Sequence, residues 1–399
     1  MVIFKNKKIN KKNICIVTEE FRPSLKGGIA TWSREIADYF HSKSYNVTVY
    51  LKKHGGIKKS FNVNNLPYKI HLISGRDWAF FKKWYVFFSI FKYLKNKNKP
   101  IIISTNWELS QGIVFYKNIF QFSLVTILHG LEVTRLNSLK YNNRITSFKK
   151  TLMRSDKIIS VSHYTKKVAE SLNKYDIKID VVPNFVNFKN FHPIDKKLFI
   201  NDFTYRENDR ILLTLSRLVK RKGHYTVIKA LKPIISKNPN VFYLIAGTGD
   251  KSYEKELKHY VRKLNLEKNI NFLGYISEAK KKIIYNLCDL YVMTSIPTDE
   301  RGDSEGFGIT FLEANACGKP VIGTNVGGIS DAINDGFNGY LIKPNDPLEL
   351  EKKITSIIYN NKLYKSLSEN SINHIKKNFD IQLIGKRFDM IIDELYDTL

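Results

Sequence analysis

Short runs of apolar, mostly β-branched residues alternate along the whole chain with longer segments in which apolar residues recur at helical spacing. The short runs predict buried parallel strands, and the longer segments predict the helices that connect one strand to the next. In the first half of the chain the predicted strands are 14–18, 47–51, 101–104, 124–128, 157–161 and 180–182. In the second half they are 211–215, 241–246, 270–273, 289–293, 320–323 and 340–342. This alternation predicts the α/β class with doubly wound sheets.

A polar, irregular stretch separates the two series of strands. The segment 182–187, VPNFVN, follows the last strand of the first series, and residues 188–208 show no regular pattern. A chain of 399 residues is long enough to bury a full core in each of two domains. We therefore predict an N-terminal domain over 1–190, a linker over 191–208 and a C-terminal domain over 209–379.

The chain is strongly basic, with 65 lysine and arginine residues against 37 aspartate and glutamate residues and a formal net charge of +28. Such an excess favours an anionic partner, which can be a nucleic acid, an anionic bilayer or a phosphorylated substrate. No helix-turn-helix, zinc-finger or aromatic RNA-binding motif is recognisable, so a nucleic-acid partner is the least favoured of the three. Part of the excess is also compatible with a lysine-rich genome.

Three cysteines, Cys15, Cys288 and Cys317, lie far apart in apolar segments. Their spacing suggests neither a disulfide framework nor a zinc site, and it fits a reducing cytoplasm. The opening sequence MVIFKNKKINKK is basic but lacks the apolar core of a signal peptide, and no apolar run reaches the length of a membrane span. We therefore expect a cytoplasmic protein that does not cross a membrane.

The clearest candidate for chemistry is the stretch 297–320, PTDERGDSEGFGITFLEANACGKP. Its pattern places Glu305 in a loop and Glu313 inside a helix, with Gly306 and Gly308 between them. Free amides at a helix N-terminus favour phosphate, glycines let a ligand approach the backbone, and carboxylates accept hydrogen bonds from hydroxyls. The stretch therefore predicts a sugar-nucleotide site, although glutamates at this spacing are more often only solvated. At such a ligand-binding edge, we expect either glutamate to be replaceable by alanine without loss of stability.

A second cluster of charge follows the predicted strand 211–215. The sequence SRLVKRKG contains four cations, which are Arg217, Lys220, Arg221 and Lys222. Such a cluster is often only a solvated turn. At the carboxyl edge of an open sheet, however, arginine and lysine side chains are suited to binding the phosphates of a diphosphate.

Further candidate loops lie at the carboxyl edges of other strands. Gly27 and Gly28 lie between a strand and a helix, where a glycine pair either closes the turn or lets a phosphate approach backbone amides. His129 follows the strand 124–128, at the edge where open α/β sheets bind ligands, although a lone histidine is more often structural. Gly247 lies in the turn AGTGD, which does not have the G-x-G-x-x-G pattern of a nicotinamide site.

Taken in chain order, these segments resemble the retaining GT-B glycosyltransferases of family 4, also called glycosyl transferases group 1. The stretch EGFGITFLEANACGKPVIGTNVGG resembles the family signature over its whole length, and RLVKRKG resembles the R-L-x-x-x-K-G motif. The linker is similar to the family's P-N-G-V-D, but Phe185 replaces the glycine and Asn187 replaces the aspartate. The matches run from Gly27 to Gly339. The resemblance implies two Rossmann-like domains that face each other across a cleft, with the final helix, about 380–399, crossing back to the first domain.

The resemblance also implies which residues bind the donor and carry the reaction. Arg217 and Lys222 would hold the diphosphate, and the matching glycine pair would lie against the donor phosphates and the acceptor. Glu305 would orient the sugar hydroxyls, Glu313 would hold the ribose, and His129 would touch the transferred sugar. The implied catalytic residues are Glu305, His129, Arg217 and Lys222. The implied donor-binding residues are Gly27, Gly28, Arg217, Lys222, Gly247, Tyr275, Gly308, Ile309, Thr310 and Glu313.

The implied activity is the transfer of a hexose from a UDP-, GDP- or dTDP-linked donor to an acceptor with retention of the anomeric configuration. We expect the acceptor to be a glycan, and more specifically a lipid-linked glycan of capsule or lipopolysaccharide biosynthesis. No D-x-D triplet occurs in the sequence, so we expect cationic side chains in place of a metal, and no cofactor. Two other functions stay open, which are a sugar-nucleotide-binding partner subunit without catalysis and a basic nucleic-acid-binding protein.

The stretch 73–99 crowds aromatic residues among lysines. Its aromatics from Trp78 to Phe91 cover more than one face of a helix, so a single packed face would leave several of them in water. Such a helix either packs mostly in the core or lies on an anionic bilayer. We favour peripheral docking at the cytoplasmic face of the membrane. The lysines expected to contribute are Lys82, Lys83, Lys92 and Lys95.

Overall fold

The computed structural model describes residues 11–22, 27–53, 66–76, 78–138, 143–172, 177–200, 203, 205–297 and 303–399. Within these residues the chain forms two parallel β-sheets whose strands are joined by helices, which confirms the predicted α/β class. None of the helices in the described ranges combines the length and the apolar character that crossing a bilayer requires.

The first sheet has seven strands. They are β1 (Asn13–Thr18), β2 (Asn46–Lys52), β3 (Lys69–Ile73), β4 (Ile101–Ser104), β5 (Ser123–Leu128), β6 (Lys157–Ser160) and β7 (Asp180–Val181). Their order is β3-β2-β1-β4-β5-β6-β7, and all neighbours are parallel. The order reverses between β1 and β4, and ligands of doubly wound sheets bind at this point, outside the carboxyl ends of the strands.

Strand β3 is missing from the strands that the apolar pattern predicts. It lies at the edge of the sheet, and in its sequence, KIHLI, only Ile73 is buried. An edge strand has a neighbour on one side only, so it needs no continuous apolar run. The pattern that identifies buried strands therefore does not identify this one.

The second sheet has six strands and follows the same plan. They are β8 (Arg210–Leu215), β9 (Val241–Ala246), β10 (Ile270–Gly274), β11 (Leu290–Met293), β12 (Val321–Thr324) and β13 (Gly339–Ile342). Their order is β10-β9-β8-β11-β12-β13, again with parallel neighbours. The order reverses between β8 and β11, so a second ligand-binding edge is expected at the end of β8.

Helices connect the strands of both sheets. In the first half the α-helices are α1 (Gly28–Ser42), α2 (Trp78–Asn96), α3 (Trp107–Ile113), α4 (Leu131–Thr134), α5 (Ile145–Met153) and α6 (His163–Ser171). In the second half they are α7 (Lys197–Ile200), α8 (His224–Lys237), α9 (Lys251–Lys263), α10 (Glu278–Leu287), α11 (Ile309–Ala316), α12 (Ile329–Ala332), α13 (Pro347–Tyr359), α14 (Asn361–Asn378) and α15 (Ile381–Asp397). Short 3-10 turns include Val114–Asn118, Arg135–Asn137 and Lys220–Lys222.

The last helix, α15, packs against α1 of the first domain. The ring of Phe388 meets the ring of Trp32 edge-on, with centroids 5.8 Å apart. The hydroxyl of Tyr39 donates a hydrogen bond of 2.6 Å to the carboxylate of Asp389. The hydrophobic core that contains Trp32 therefore also contains Ile384, Phe388 and Ile392 of α15.

The chain passes between the domains twice, and the two crossings lie side by side. The amide of Val186 donates to the carbonyl of Phe379 at 2.9 Å, and the amide of Ile381 donates to the carbonyl of Val186 at 3.0 Å. Phe185, the residue that departs from the glycine of the family pattern, is 3% exposed and packs on Trp32, with ring centroids 6.2 Å apart. The larger side chain therefore fills core space next to the crossing.

Candidate active site

A cavity of about 430 Å³ lies between the two domains. Its wall is built from loops at the carboxyl ends of strands in both sheets, because Gly27 follows β1, His129 follows β5, Arg217 follows β8 and Gly247 follows β9. The structure brings every site residue suggested by the sequence to this wall. They are Gly27, Gly28, His129, Arg217, Lys222, Gly247, Tyr275, Glu305, Gly308, Ile309, Thr310 and Glu313.

The amino end of helix α11 forms one part of the wall. Gly308 precedes the helix with a φ of 96°, which residues with a Cβ rarely adopt, and a Cβ here would lie 2.6 Å from the ring of Phe311. The helix therefore begins at Ile309, with its first amides at the cavity, where they can bind an anion. The hydroxyl of Tyr291 donates a hydrogen bond of 2.8 Å to the hydroxyl of Thr310 and fixes that side chain.

Glu305 lies in the loop before α11 and binds two cations. Its Oε2 atom accepts hydrogen bonds from Nζ of Lys222 at 2.5 Å and from a guanidinium nitrogen of Arg221 at 3.0 Å. All three side chains are largely buried. Burial raises the pKa of Glu305, but the two cations outweigh this effect and lower the pKa to about 2. The carboxylate therefore stays ionised at physiological pH.

Arg221 is a site residue that the sequence reasoning missed. In the turn Lys220–Lys222, Arg221 and Lys222 are buried, whereas Lys220 is exposed and pairs with Glu256 at 3.5 Å. Burial lowers the pKa of Lys222, and the charge of Glu305 opposes that shift. The run of cations shows that the turn is basic. Which of its members turns inward depends on packing beneath the turn, and the sequence carries no signal for that.

These contacts change the expectation that either glutamate can be replaced without loss of stability. Glu305 is the shared counter-ion of two buried cations. Glu313 is 1% exposed, and its carboxylate accepts hydrogen bonds from the hydroxyl of Tyr285 at 2.7 Å and from Nζ of Lys281 at 3.4 Å. Alanine at either position leaves buried polar groups without their partners, which costs folding free energy. Each glutamate therefore supports the fold as well as lining the cavity.

His129 faces the cavity from the end of β5. Its Nε2 atom is buried and has no hydrogen-bond partner within the described part of the chain. Burial lowers the pKa of His129 to about 3, so the ring is neutral at physiological pH. Its ring lies edge-on to Trp32, with centroids 5.2 Å apart. His129 lines the cavity, and a neutral ring nitrogen without a partner is suited to a hydrogen bond with a sugar hydroxyl.

Glu132 holds the turn that carries His129, and the sequence reasoning gave it no role. Its Oε1 atom accepts hydrogen bonds from the amide of His129 at 2.6 Å and from the amide of Gly130 at 3.3 Å. Glu132 also lines the cavity, and burial raises its pKa to about 7. The available signal was its place in the sequence HGLE, because a carboxylate in the first turn of a helix can turn back and accept hydrogen bonds from the amides that precede the helix.

The two domains touch each other beside the cavity through glycines. A Cβ on Gly306 would lie 2.2 Å from the carbonyl oxygen of His129, and a Cβ on Gly130 would lie 2.8 Å from the Cα of Gly306. A Cβ on Gly328 would lie 2.1 Å from the carbonyl oxygen of Gly306 and 3.0 Å from the hydroxyl of Ser162. Only glycine lets the backbones approach this closely without a shift.

Ion pairs also connect the domains at the same cleft. Arg135 of the first domain pairs with Asp303 of the second at 2.8 Å. Arg22, in the loop after β1, pairs with Glu278 at the start of α10, and both of these residues line the cavity. Together with the glycine contacts, these pairs hold the two walls of the cavity against each other.

The cavity wall combines phosphate-binding and hydroxyl-binding groups. Arg217, Arg221 and Lys222 supply positive charge to the same cavity as the first residues of α11. Asn184 lines the cavity, and its side-chain Oδ1, like His129 Nε2, is buried without a hydrogen-bond partner in the described ranges. Those ranges contain no group of three or more His, Cys, Asp or Glu side chains that could hold a metal ion. A ligand with an anionic part and a part rich in hydroxyls matches this wall.

Two family models match the chain. The model described as Glycosyltransferase Family 4 matches residues 26–190, and the model described as Glycosyl transferases group 1 matches residues 195–374. An uncharacterised glycosyltransferase of Methanocaldococcus jannaschii is 29% identical over 392 residues, which cover 96% of this chain and 99% of that protein. The capsular polysaccharide biosynthesis glycosyltransferase CapM of Staphylococcus aureus is 25% identical over 313 residues, which cover 76% of this chain and 78% of that protein.

Solved structures share the fold. The crystal structure of Alr3699/HepE from Anabaena, in complex with UDP and glucose, aligns with a TM-score of 0.76 and 20% sequence identity. The alignment covers 96% of this chain and 99% of that one. The likeness confirms the predicted GT-B arrangement of two Rossmann-like domains across a cleft.

Proposed function

The chain belongs to the glycosyl transferases group 1, and from this premise we propose that it transfers a hexose from a nucleotide-diphospho-sugar to a glycan acceptor with retention of the anomeric configuration. The observation that carries the proposal is the pairing of Glu305 with Arg221 and Lys222 beside the amino end of α11. Cations and helix amides next to a carboxylate suit the junction between a diphosphate and a sugar. Alr3699/HepE, which shares the fold, was crystallised with UDP and glucose, which agrees with a nucleotide-sugar donor.

The leaving group is the diphosphate, and its negative charge grows as the bond to the sugar breaks. We assign its stabilisation to Arg217, Lys222 and the first amides of α11, and we add Arg221 because it shares the same carboxylate. Groups that are fixed in place before the reaction stabilise such charge without reorganising. These cations take the role that a metal ion has in other transferases, so the reaction is proposed to be independent of metal.

Glu305 has two roles in this proposal. Both cations bind its Oε2 atom, so the carboxylate keeps Arg221 and Lys222 in position before the donor arrives. Its Oε1 atom is the one we assign to a hydroxyl of the transferred sugar. His129 and Asn184 line the cavity, and each has a buried polar atom without a partner in the described ranges, so we assign the remaining hydrogen bonds to the sugar to them.

Retention requires the new bond to form on the face from which the diphosphate leaves. In the proposed step the acceptor oxygen bonds to the anomeric carbon as the bond from that carbon to the phosphate oxygen breaks. The acceptor proton passes to the departing phosphate oxygen, so no separate protein base is needed. Glu313 is assigned to the ribose, where its buried contacts with Tyr285 and Lys281 hold the carboxylate at the cavity wall.

We propose a lipid-linked glycan as the acceptor and the cytoplasmic membrane face as the place of reaction. CapM, a relative over most of the chain, is named for capsular polysaccharide biosynthesis, which agrees with a surface glycan. The strongly basic composition agrees with contact to an anionic membrane.

The test is a screen of UDP-, GDP- and dTDP-sugars for thermal stabilisation, followed by a transfer assay with the donor that binds. A ligand at about 100 times its dissociation constant stabilises by about 2.7 kcal/mol, which a melting curve resolves. Arg217→Ala should lose this stabilisation, whereas Lys220→Ala, an exposed cation in the same loop, should keep it. Nuclear magnetic resonance of the product then reports the anomeric configuration.

Each alternative has its own outcome in this screen. Stabilisation by a nucleotide sugar without transfer to any glycan would indicate a binding subunit that lacks catalysis. Salt-sensitive binding of DNA that is tighter than the binding of any nucleotide would indicate a nucleic-acid-binding protein. An inverted anomeric configuration in the product would refute retention alone.

A further inference from the structure

Helix α2 buries one apolar face and exposes another. The buried face contains Val86, Ile90, Tyr93 and Leu94, which pack in the core of the first domain. The opposite face contains Phe81, Trp84, Phe88 and Phe91, which are 50%, 42%, 69% and 45% exposed. These residues recur at spacings of three and four, which places them on one side of the helix. Several of the aromatics in this stretch are therefore in water, as the sequence predicted.

The 3-10 turn Val114–Asn118 extends this exposed face. Phe115 is 46% exposed and stacks on Trp84, with ring centroids 5.9 Å apart. Ile119, just after the turn, is 66% exposed, and its neighbour Phe120 packs on Phe91. We call the resulting surface the aromatic surface. It consists of Phe81, Trp84, Phe88, Phe91, Phe115 and Ile119.

The charge around the aromatic surface is positive. Between positions 78 and 131 the sequence contains seven lysines and a single acidic residue, Glu108, which is itself paired with Lys82 and Arg144. Lys82 and Lys117 are paired with acidic side chains, so five lysines remain to supply positive charge. Lys92 and Lys95 are exposed on α2, and the ammonium group of Lys83 lies 5.4 Å from the ring centre of Trp84. An apolar surface with a cationic border matches a partner whose apolar interior lies beneath an anionic outer layer.

Lys82 does not belong to this border, although the sequence suggested that it does. Its side chain is 15% exposed and pairs with Glu108 and, at 2.5 Å, with Glu19. The indole of Trp78 also donates a hydrogen bond of 3.0 Å to Glu19. These contacts join the start of α2 to the loop after β1, in which the next residue, Glu20, lines the cavity. The aromatic surface is thus on the element that is fastened to the edge of the candidate active site.

We propose that the aromatic surface docks on an anionic phospholipid bilayer. Aromatic side chains are favoured at the boundary between headgroups and acyl chains, and lysines are attracted to the anionic headgroups. A protein partner fits less well, because lysine is depleted in protein interfaces relative to the rest of the surface. Binding to the bilayer does not depend on the proposed function. Only its purpose does, which is to bring a lipid-linked acceptor to the loop after β1.

The experiment is sedimentation of the full chain with vesicles of phosphatidylcholine, either alone or mixed with phosphatidylglycerol, at low and at high salt. The protein should sediment with the anionic vesicles at low salt and be released by high salt. Lys92→Gln and Lys95→Gln should each weaken binding about fivefold. The double variant Phe88→Ser/Ile119→Ser should weaken it by about tenfold or more, because it removes two large apolar side chains from the surface.

Matched controls come from the second domain. Leu348→Ser replaces a leucine that is 69% exposed, like Phe88, and Lys229→Gln/Lys237→Gln replaces two exposed lysines of α8. Both controls should bind vesicles like the wild type. The docking inference is wrong if the wild type ignores anionic vesicles at low salt, or if the variants of the aromatic surface bind them unchanged.

Two further readouts separate the possible causes. If light scattering finds a dimer that Phe88→Ser/Ile119→Ser converts to a monomer, and no vesicle binding occurs, the aromatic surface joins two copies of the chain and the bilayer is the wrong partner. Vesicle binding is measured without donor, and Arg217→Ala should retain it. Vesicle binding without any glycosyl transfer would therefore uphold the docking and refute only the proposed function.

Discussion

Replacing Glu305 by glutamine tests the central feature of the site, because Glu305→Gln keeps the shape of the side chain and removes its charge. In the wild type the pKa of Glu305 falls from 4.5 to about 2 through its contacts with Arg221 and Lys222. One pKa unit corresponds to about 1.4 kcal/mol, so the ionised carboxylate contributes about 3 kcal/mol to folding. Loss of one partner from a buried ion pair typically costs about 3 to 5 kcal/mol, which agrees with this value.

The pH dependence of this contribution has a definite direction. A lowered pKa means that the folded state releases the proton more readily than the unfolded state does. The stabilisation is therefore complete above about pH 4.5 and is lost as the pH falls towards 2. The difference in unfolding free energy between the wild type and Glu305→Gln should be about 3 kcal/mol at pH 7 and should shrink as the pH falls below 4.5.

Melting curves without ligand measure the effect. For a domain of this size a loss of about 3 kcal/mol lowers the Tm by roughly 6 to 12 °C. Glu256→Gln is the matched control, because Glu256 pairs with Lys220 of the same turn but both side chains are well exposed. An exposed pair contributes about 1 kcal/mol or less, so the control should melt close to the wild type.

A nucleoside diphosphate should restore part of the loss. Its phosphates bring negative charge to Arg221 and Lys222, which lack their carboxylate partner in Glu305→Gln. The diphosphate that stabilises the wild type should therefore raise the Tm of the variant by a larger amount, although transfer is lost. The inferred role of Glu305 as the counter-ion of these cations is refuted if the variant has the same Tm as the wild type. It is also refuted if the diphosphate raises the Tm of both proteins equally.

Arg217→Ala should weaken the binding of a nucleoside diphosphate by more than tenfold, because a hydrogen bond from a charged group contributes about 2 kcal/mol. The activity of the wild type should persist in excess EDTA. Activity that is lost to the chelator and restored by Mg²⁺ would contradict the proposed role of the cations. In Gly306→Ala the new Cβ would lie 2.2 Å from the carbonyl oxygen of His129, so the two domains should be forced apart. The variant should have a lower kcat/KM and should appear more open in X-ray scattering. Gly336→Ala is the control and should not open the cleft, because the space around a Cβ at this position is open. Unchanged scattering for Gly306→Ala would count against closure through the glycine contact. Glu132→Gln should remove a pH dependence of the unfolding free energy. Because the pKa of Glu132 is raised to about 7, the folded state binds the proton more tightly than the unfolded state does. The resulting stabilisation is complete below pH 4.5 and is lost as the pH rises through about 7. Urea unfolding across this pH range checks the last expectation, which fails if both proteins show the same slope.

The apolar pattern identifies strands well where they are buried on both faces. Strands such as β4, with the sequence IIIS, are fully buried and form short continuous apolar runs. The pattern does not identify strand β3, because most of the side chains of this edge strand are not buried. The two sheets could therefore be predicted from the sequence, but the width of the first sheet could not.

The candidate site was predictable for a geometric reason. Residues placed after different strands, such as His129 after β5 and Arg217 after β8, converge because parallel strands end at the same edge of a sheet. The pairing of side chains within the site was not predictable in this way. Nothing in the local sequence distinguishes Lys82 from a surface lysine. It pairs with Glu19 and Glu108 because three separate elements pack together at this place. Burial of this kind is a property of the assembled domain and has no local pattern.

The return of α15 to the first domain also bears on the order in which the protein can fold during its synthesis. The ribosome releases the chain from its amino end, so Trp32 emerges long before Phe388, the residue that packs on it. Part of the core of the first domain therefore stays uncovered until α15 has been translated. The second sheet, from β8 to β13, is one continuous stretch of sequence and can assemble while α15 is still being made. The domain that is translated second is thus the first that can be finished.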